Sequence, residues 1–269
     1  MSLVHPIPAN QLPQAENWLR EHHDPAFLLA FKIAIETGLR ISDILSLRWE
    51  NVTGNTITLA ESKGTKARQA RAARKVLELV KKELLVHYGN DPQMMLKIFI
   101  TSPTDIIPLI PADMARNVAD RIKAARDSAP AKYRTVKVSK KTADMLARRK
   151  AKFSDVDEGN IFSRRTLRNS NRAKNDKGGV LTRQTAWSCY SKLTEVLGSA
   201  KRIGCHSLRK VFARGLYYSS GKDIGLLMTV IGHSSPAMSL RYIGINNDDE
   251  DNAVNGWLDQ LYQQSGKGV

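Results

Sequence analysis

Between Asp24 and Gly38 the chain reads DPAFLLAFKIAIETG, and this stretch limits the fold more than any other. Asp24 can accept hydrogen bonds from the free backbone amides that begin a helix, and Pro25 suits the first turn, where no amide donor is needed. Gly38 marks the end, because glycine readily takes the left-handed conformation that closes many helices. Between those limits the apolar residues of FLLAFKIAI are nearly continuous, so the helix has no broad face for water and is expected to be buried on most sides. A chain of 269 residues is long enough to supply the core this needs, as one large domain or two small ones.

The segment RISDILSLRWENV follows directly. Ile41, Ile44, Leu45, Leu47 and Trp49 suggest a short second helix capped near Ser42, which places Arg40 at a tight joint between two buried helices. NTITLAES alternates Ile57 and Leu59 with threonines and reads as a strand. The stretch from Lys63 to Lys82 carries eight basic residues and one acid, and its later part has apolar residues at helical spacing (Val76, Leu79, Val80, Leu84). A second strand is expected at RTVKVS, a helix from Lys140 to Lys152, and a short strand at residues 161–163. The last third reads as mostly helical, through QTAWSCYSKLTEVLG, HSLRKVFARGLYYSSG, KDIGLLMTVIG and PAMSLRYIG. There is no internal repeat and no long linker. The end turns acidic at NNDDEDN and then carries Trp257, Leu258, Leu261 and Tyr262 on an amphipathic piece, which can cap its own domain or dock on a neighbouring subunit.

The charge balance narrows the partners. Forty-two basic residues against 26 acidic ones give a formal net charge of +16, which argues for a polyanion, nucleic acid first and an anionic membrane second. No apolar run reaches the roughly 18 residues that a spanning helix requires, and MSLVHPIPAN has neither the basic start nor the apolar core of a secretory signal. Cys189 and Cys205 form no disulfide framework and no CxxC zinc site, so the natural reading is a reducing, cytoplasmic compartment. From Lys132 to Lys177 the chain holds fifteen Lys or Arg against five acids. Within it, RRTLRNSNRAKNDKGG reads as a polar loop. That loop is either a solvated surface or an arm whose Arg164, Arg165, Arg168, Arg172 and Lys174 contact phosphates, and the net charge favours the arm.

The candidates for chemistry are unremarkable one at a time. His206 and Arg209, in HSLRK, lie three apart on a helix and share a face, so both can donate to one phosphate. Arg40 at a helix joint more often satisfies carbonyls or an acid such as Asp43. A histidine after a glycine, as His233 is, more often belongs to a loop, and Tyr242 is one of seven tyrosines. Order and spacing change this. TGLRISDILSLRW, then HSLRK, then IGHSS with its His233 24 residues after Arg209, and a tyrosine nine residues after that histidine resemble the tyrosine recombinase, or phage integrase, family. Every fixed position of that family's T-G-x-R-x-x-E/D-x-x-x-L-x-W signature is present. The resemblance covers roughly residues 5 to 262 and is poor between about 67 and 132.

The resemblance implies a mainly α-helical catalytic domain with a small antiparallel β-sheet, and a site-specific DNA recombinase acting in integration, excision or multimer resolution. Arg40 and Arg209 would clamp the nonbridging oxygens of a DNA phosphodiester. His206 and His233 would add donors, with His206 able to assist proton transfer. Tyr242 would be the nucleophile, leaving a 3′-phosphotyrosine and a free 5′-hydroxyl. Protein cations replace a metal in this scheme, so neither metal nor cofactor is expected. The leaving oxygen would take its proton from a lysine on a β-hairpin, which Lys63 matches best, with Lys66 or Lys132 next. Asp43 would hold Arg40, and Lys66 and Arg68 would join the loop cations on DNA. The resemblance further implies a homotetramer on double-stranded DNA with exchange of C-terminal tails (residues 246–269), accessory DNA-bending proteins, no membrane, and a nucleoid-associated protein of prokaryotic, phage or plasmid origin. The family's separate N-terminal clamp domain has no room before Arg40, so residues 1–269 are expected to form one catalytic domain with an insertion at about 67–132. A type IB-like topoisomerase, a non-catalytic DNA-binding regulator and a general RNA-binding protein are the competing readings. The last explains the charge but not the ordered motifs.

Overall fold

The computed structural model describes residues 4–153, 159–163, 180–244, 254–256 and 258. The chain divides into two compact units. The first comprises residues 1–57 and 136–269, the second residues 58–135.

In the first unit, α1 (Leu12–His22) leads to α2 (Pro25–Thr37), the apolar helix that constrains the fold. Asp24 accepts from the Ala26 amide at its start, and Gly38 closes it in the left-handed conformation, φ 61°. Its burial on most sides is met by four partners: α1, α3 (Ile41–Leu45), α7 (Lys140–Phe153) and α10 (Cys205–Ser219) all pack on it. Each fully buried Leu, Ile or Phe on such a helix is worth about 1.5–3 kcal/mol. Lys32, the one cation of α2, reaches Glu16 on α1 at 2.8 Å. Glu36 near the helix end accepts from the Ser139 amide, Ser139 Oγ and Thr142 Oγ1, and so fixes the start of α7.

The helix after Arg40 begins at the arginine itself rather than near Ser42, since the Asp43 and Ile44 amides both donate to the Arg40 carbonyl. A short hairpin follows. Strands β1 (Val52–Thr53) and β2 (Thr56–Ala60) pair antiparallel, with Val52 opposite Ile57, around a turn in which Gly54 has φ 59°. Strand β3 (Tyr133–Lys137) completes a three-stranded sheet in the order β1-β2-β3.

The C-terminal helices of this unit are α8 (Arg183–Ser191), α9 (Leu193–Val196), α10, α11 (Ile224–Ile231) and α12 (Pro236–Ile243). The single helix expected over QTAWSCYSKLTEVLG is broken after Ser191 into α8 and α9. Residues 161–163 form no strand. Ser163 makes one isolated bridge, with Val180, and the preceding Asn160 makes another, with Arg48, so no ladder forms among the described residues. Helices α10, α11 and α12 share a core of Ala213, Leu227, Ile231 and Ile243, against which Phe212 and Tyr242 are half-buried. The C-terminal segment from 246 lies largely outside the described residues, apart from a helical stretch at 254–256 and 258.

The second unit has its own core. Helix α4 (Ser62–His87) packs on α5 (Pro92–Ile100) and α6 (Ala112–Asp127) through Leu77, Val80, Leu84, Ile98, Ile106 and Val118. Arg121 grips Glu83 with two hydrogen bonds of 2.8 and 2.9 Å, tying α6 to α4. The expected insertion at about 67–132 falls within this unit. Helix α4 begins directly after β2, earlier than the apolar spacing alone suggested, because its first three turns are basic and mostly exposed.

The thiols give a direct check on the first unit. Burial pushes Cys189 up to about 12 and Cys205 to about 11, with Lys192 opposing at the first and Arg183 at the second. Only the thiolate reacts. A maleimide or iodoacetamide pulse near neutral pH should therefore leave both cysteines unlabelled in the folded protein and modify both in denaturant. Mass spectrometry reads the result, and fast native labelling of Cys205 would contradict it.

Candidate active site

The five candidates Arg40, His206, Arg209, His233 and Tyr242 all lie in the first unit, and all the links between them below are internal to it. Arg40 stands at the joint of α2 and α3, partly open to solvent. Its Nη1 is 4.0 Å from Oδ2 of the buried Asp43, the edge of ion-pair range, so Asp43 supplies an anchor without enclosing the guanidinium.

Arg209 comes from the first turns of α10 and is almost wholly enclosed, 4 % exposed. Its Nη1 donates to the Gly38 carbonyl and its Nη2 to the Ile231 carbonyl at 2.7 Å. Both carbonyls lie at helix C-termini, α2 and α11, where the partial negative charge of the helix favours a cation. One arginine thus pins three helices at one point.

Glycine is required at position 38 for two reasons. The left-handed φ disfavours a side chain, and an added Cβ would run into the Phe212 ring of α10. Only the bare backbone lets α2 approach α10 closely enough for its last carbonyl to reach Arg209.

His206 keeps an exposed edge although protein crowds the rest of it. Partial burial first, then Arg183, Arg209, Lys210 and Arg40, lower its pKa. It is therefore neutral near pH 7 and able to take up a proton. His233 follows Gly232, which ends α11 in the left-handed conformation at φ 76°. The His233 Nδ1 is 3.0 Å from Ser239 Oγ, a fully buried hydroxyl on α12. The His233 ring also meets the Tyr242 ring edge-on, with centroids 4.9 Å apart.

Tyr242 projects from α12, whose start is capped by Ser235 accepting from the Met238 amide. Its hydroxyl is buried and makes no hydrogen bond of normal geometry among the described residues. Burial raises its pKa, while Arg209, close enough to bias its ionisation without completing such a bond, and Arg40 pull the other way. A phenol in this setting stays protonated until something more polar arrives, and two guanidinium groups then stand ready for its negative charge.

Lys63 is not on a hairpin. It occupies the first turn of α4 in the second unit and is exposed, as is Lys66. Lys132 pairs with the buried Glu61 at 3.1 Å, which also takes Arg134 at 3.5 Å. Arg68 is exposed and donates to the Ala131 carbonyl at 3.3 Å. Arg164, Arg165, Arg168, Arg172 and Lys174 lie outside the described residues. Sequence reading passed over Arg183, Lys210 and Ser239. Lys210, next to HSLR, carried a signal in its position, whereas Arg183 and Ser239 reach the site only through the tertiary fold. Among the described residues no group of His, Cys, Asp and Glu is placed to hold a metal ion, and no helix is long and apolar enough to cross a membrane.

A mainly helical unit that gathers a phenol, two arginines and two histidines has the groups to receive an anion beside that phenol. Comparison with known proteins places it further. A family model described as the phage integrase family matches residues 7–107 and 112–248. The chain belongs to the phage integrase family. It is similar to tyrosine recombinase XerD of Corynebacterium glutamicum, 38% identical over 74 residues, covering 28% of this chain and 24% of that protein. It is also similar to the probable integrase/recombinase YoeC of Bacillus subtilis, 46% identical over 48 residues, 18% of this chain and 26% of that one. The matched stretches span about a quarter of the length of these curated relatives. Among solved structures, XerA recombinase aligns with a TM-score of 0.51 at 15% identity, over 98% of this chain and 66% of that one. XerH recombinase in a post-cleavage complex with palindromic difH aligns with a TM-score of 0.53 at 16% identity, over 95% and 54%. At such identities the likeness is one of fold.

Proposed function

We propose that the chain is a site-specific DNA recombinase that cuts and rejoins strands through a covalent bond to Tyr242. The observation that carries this reading is the Tyr242 hydroxyl itself, a buried phenol facing Arg209 and Arg40 and braced by the His233 ring. A buried polar atom without a partner is costly unless it has a task. A DNA phosphate drawn in by Arg40 and Arg209 would supply the missing partner.

The chemistry follows from the groups present. Tyr242 Oη attacks phosphorus, the bond to the 5′ oxygen breaks, and the phosphate stays on the tyrosine as a 3′ linkage. The two guanidinium groups neutralise charge that builds on the nonbridging oxygens, His233 donates to one of them, and neutral His206 accepts the phenolic proton. The 5′ oxygen takes its proton from a separate acid. Rejoining is the reverse, and no external energy is required because the linkage conserves the bond. The exposed cations of α4, Lys66 and Arg68 among them, and the basic segment 164–174 grip the duplex backbone, so binding weakens steeply with salt. Pairs of sites are held by a homotetramer exchanging C-terminal segments, with DNA-bending proteins assisting, in a prokaryotic nucleoid.

A nicked suicide substrate, from which the cut fragment diffuses away, tests the reading. In the presence of EDTA the wild type should accumulate covalent protein–DNA adduct and Tyr242→Phe should accumulate none. Adduct from the phenylalanine variant would sink the assignment.

A further inference from the structure

Lys210 follows HSLR in the chain, and the reaction just described makes no use of it. It is 6 % exposed, although lysine is rarely buried without a partner. Its ammonium donates to the Val4 carbonyl at 2.7 Å and lies 5.4 Å from the centre of the Tyr242 ring. The N-terminal segment that supplies Val4 is itself held, since the His5 amide donates to the Arg202 carbonyl at 3.1 Å. A chain of contacts therefore runs from Arg202, through the N-terminal segment, to a cation on the face of Tyr242.

We propose that Lys210 is a positioning residue for the nucleophile: tethered by the Val4 carbonyl, its ammonium holds the Tyr242 ring by one face while His233 meets that ring edge-on, and it steadies the negative charge as the phenol attacks. The proposal rests on Tyr242 being the nucleophile. The ring is then fixed by Lys210 and His233 together, and its oxygen is aimed toward Arg209 and Arg40. The groups that bear on Tyr242 are Arg209 and Lys210 from α10, Arg40 from the α2–α3 joint and His233 from the loop before α12. Those that share the neighbourhood of Lys210 are His206 and His5, each with its pKa lowered in part by Lys210. Burial lowers the pKa of Lys210 from its usual value, yet the π face and the carbonyl dipole both favour its charged form.

Geometry also says what Lys210 does not do. In an in-line displacement the attacking and leaving oxygens lie on opposite sides of phosphorus. Lys210 is on the ring of the attacking group, so it does not protonate the 5′ oxygen, and its charged ammonium, over the ring face, has no lone pair with which to take the phenolic proton. Its effect is electrostatic and positional.

Single-turnover cleavage of the suicide substrate by the full chain tests this. Lys210→Met keeps the stem and removes the charge. Cleavage should slow by roughly thirtyfold, the size of a desolvated cation–π contact, and its rise with pH should move to higher pH. Lys210→Arg should restore both rate and pH profile. A substrate with a 5′-bridging sulfur, which leaves without a proton, should show the same Lys210→Met defect. Rescue by that sulfur would make Lys210 the leaving-group acid and overturn the proposal, as would wild-type rates in Lys210→Met. Should the methionine variant fail to fold, a shifted pH profile in Lys210→Arg overturns it equally. Adduct formation by Tyr242→Phe in the same assay would instead remove the nucleophile assignment beneath it.

Discussion

Arg209→Lys should reduce covalent trapping of DNA by about 10²–10³-fold, the cost of losing a preorganised donor at a developing oxyanion, and should lower stability as well. A guanidinium has five donors in a fixed fork, and Arg209 spends two of them on the Gly38 and Ile231 carbonyls. Those two bonds hold the planar fork in one orientation at the joint of α2, α10 and α11. An ammonium on a flexible stem can serve the carbonyls or the phosphate, but not all three with good geometry. Each carbonyl left without its donor in this buried place costs about 1–3 kcal/mol. The two effects are separable. Calorimetry gives the stability loss, and single-turnover cleavage well below the unfolding midpoint gives the catalytic loss on molecules that remain folded. Cleavage by the lysine variant within threefold of wild type would show that the fork is not what holds the phosphate.

How much of this was legible in the sequence depends on whether a feature is local. The cap, the proline and the terminal glycine of α2 are set by residues adjacent in the chain, and so is the uninterrupted apolar run, so the helix and its burial could be read directly. The five site residues are scattered over two hundred positions, and composition or periodicity gives no reason to join them. Only the fixed spacing within three short motifs does. What escaped was what tertiary packing decides. Lys210 had only its place beside HSLR to mark it, and the fold adds what the sequence lacks: Val4 and Tyr242, far apart in the chain, meet its ammonium. Arg183 bears on His206 only because α8 and α10 pack together. Lys63 follows a strand, and the resemblance matched it to a lysine on a β-hairpin, with the insertion starting only at about 67. Instead α4 begins at Ser62, and an independent helical core separates β2 from β3. No local signal distinguishes a basic turn from a basic first helical turn.

Gly38→Ala should be the most destabilising single-methyl change in the first unit. The left-handed φ of 61° costs a side-chain-bearing residue about 1–2 kcal/mol, and the new Cβ meets the Phe212 ring, which is itself packed against the α10–α11–α12 core. Overpacking of this kind adds about 1–3 kcal/mol. Together these amount to roughly 2–5 kcal/mol, or about 4–20 °C in the unfolding midpoint for a unit of this size. The two terms can be told apart by adding Phe212→Leu. If the ring is the obstacle, the second change recovers part of the loss, whereas the backbone term remains. Catalysis follows the same geometry. The Gly38 carbonyl anchors Arg209 and Arg40 lies two residues further on, so any shift of the α2 end away from α10 moves both guanidinium groups relative to Tyr242. Cleavage should therefore fall in Gly38→Ala even at temperatures where the protein is folded, and recover in step with stability in the double variant. A folded Gly38→Ala protein with unchanged midpoint and cleavage rate would mean that neither the conformation nor the close approach at this joint matters to the site.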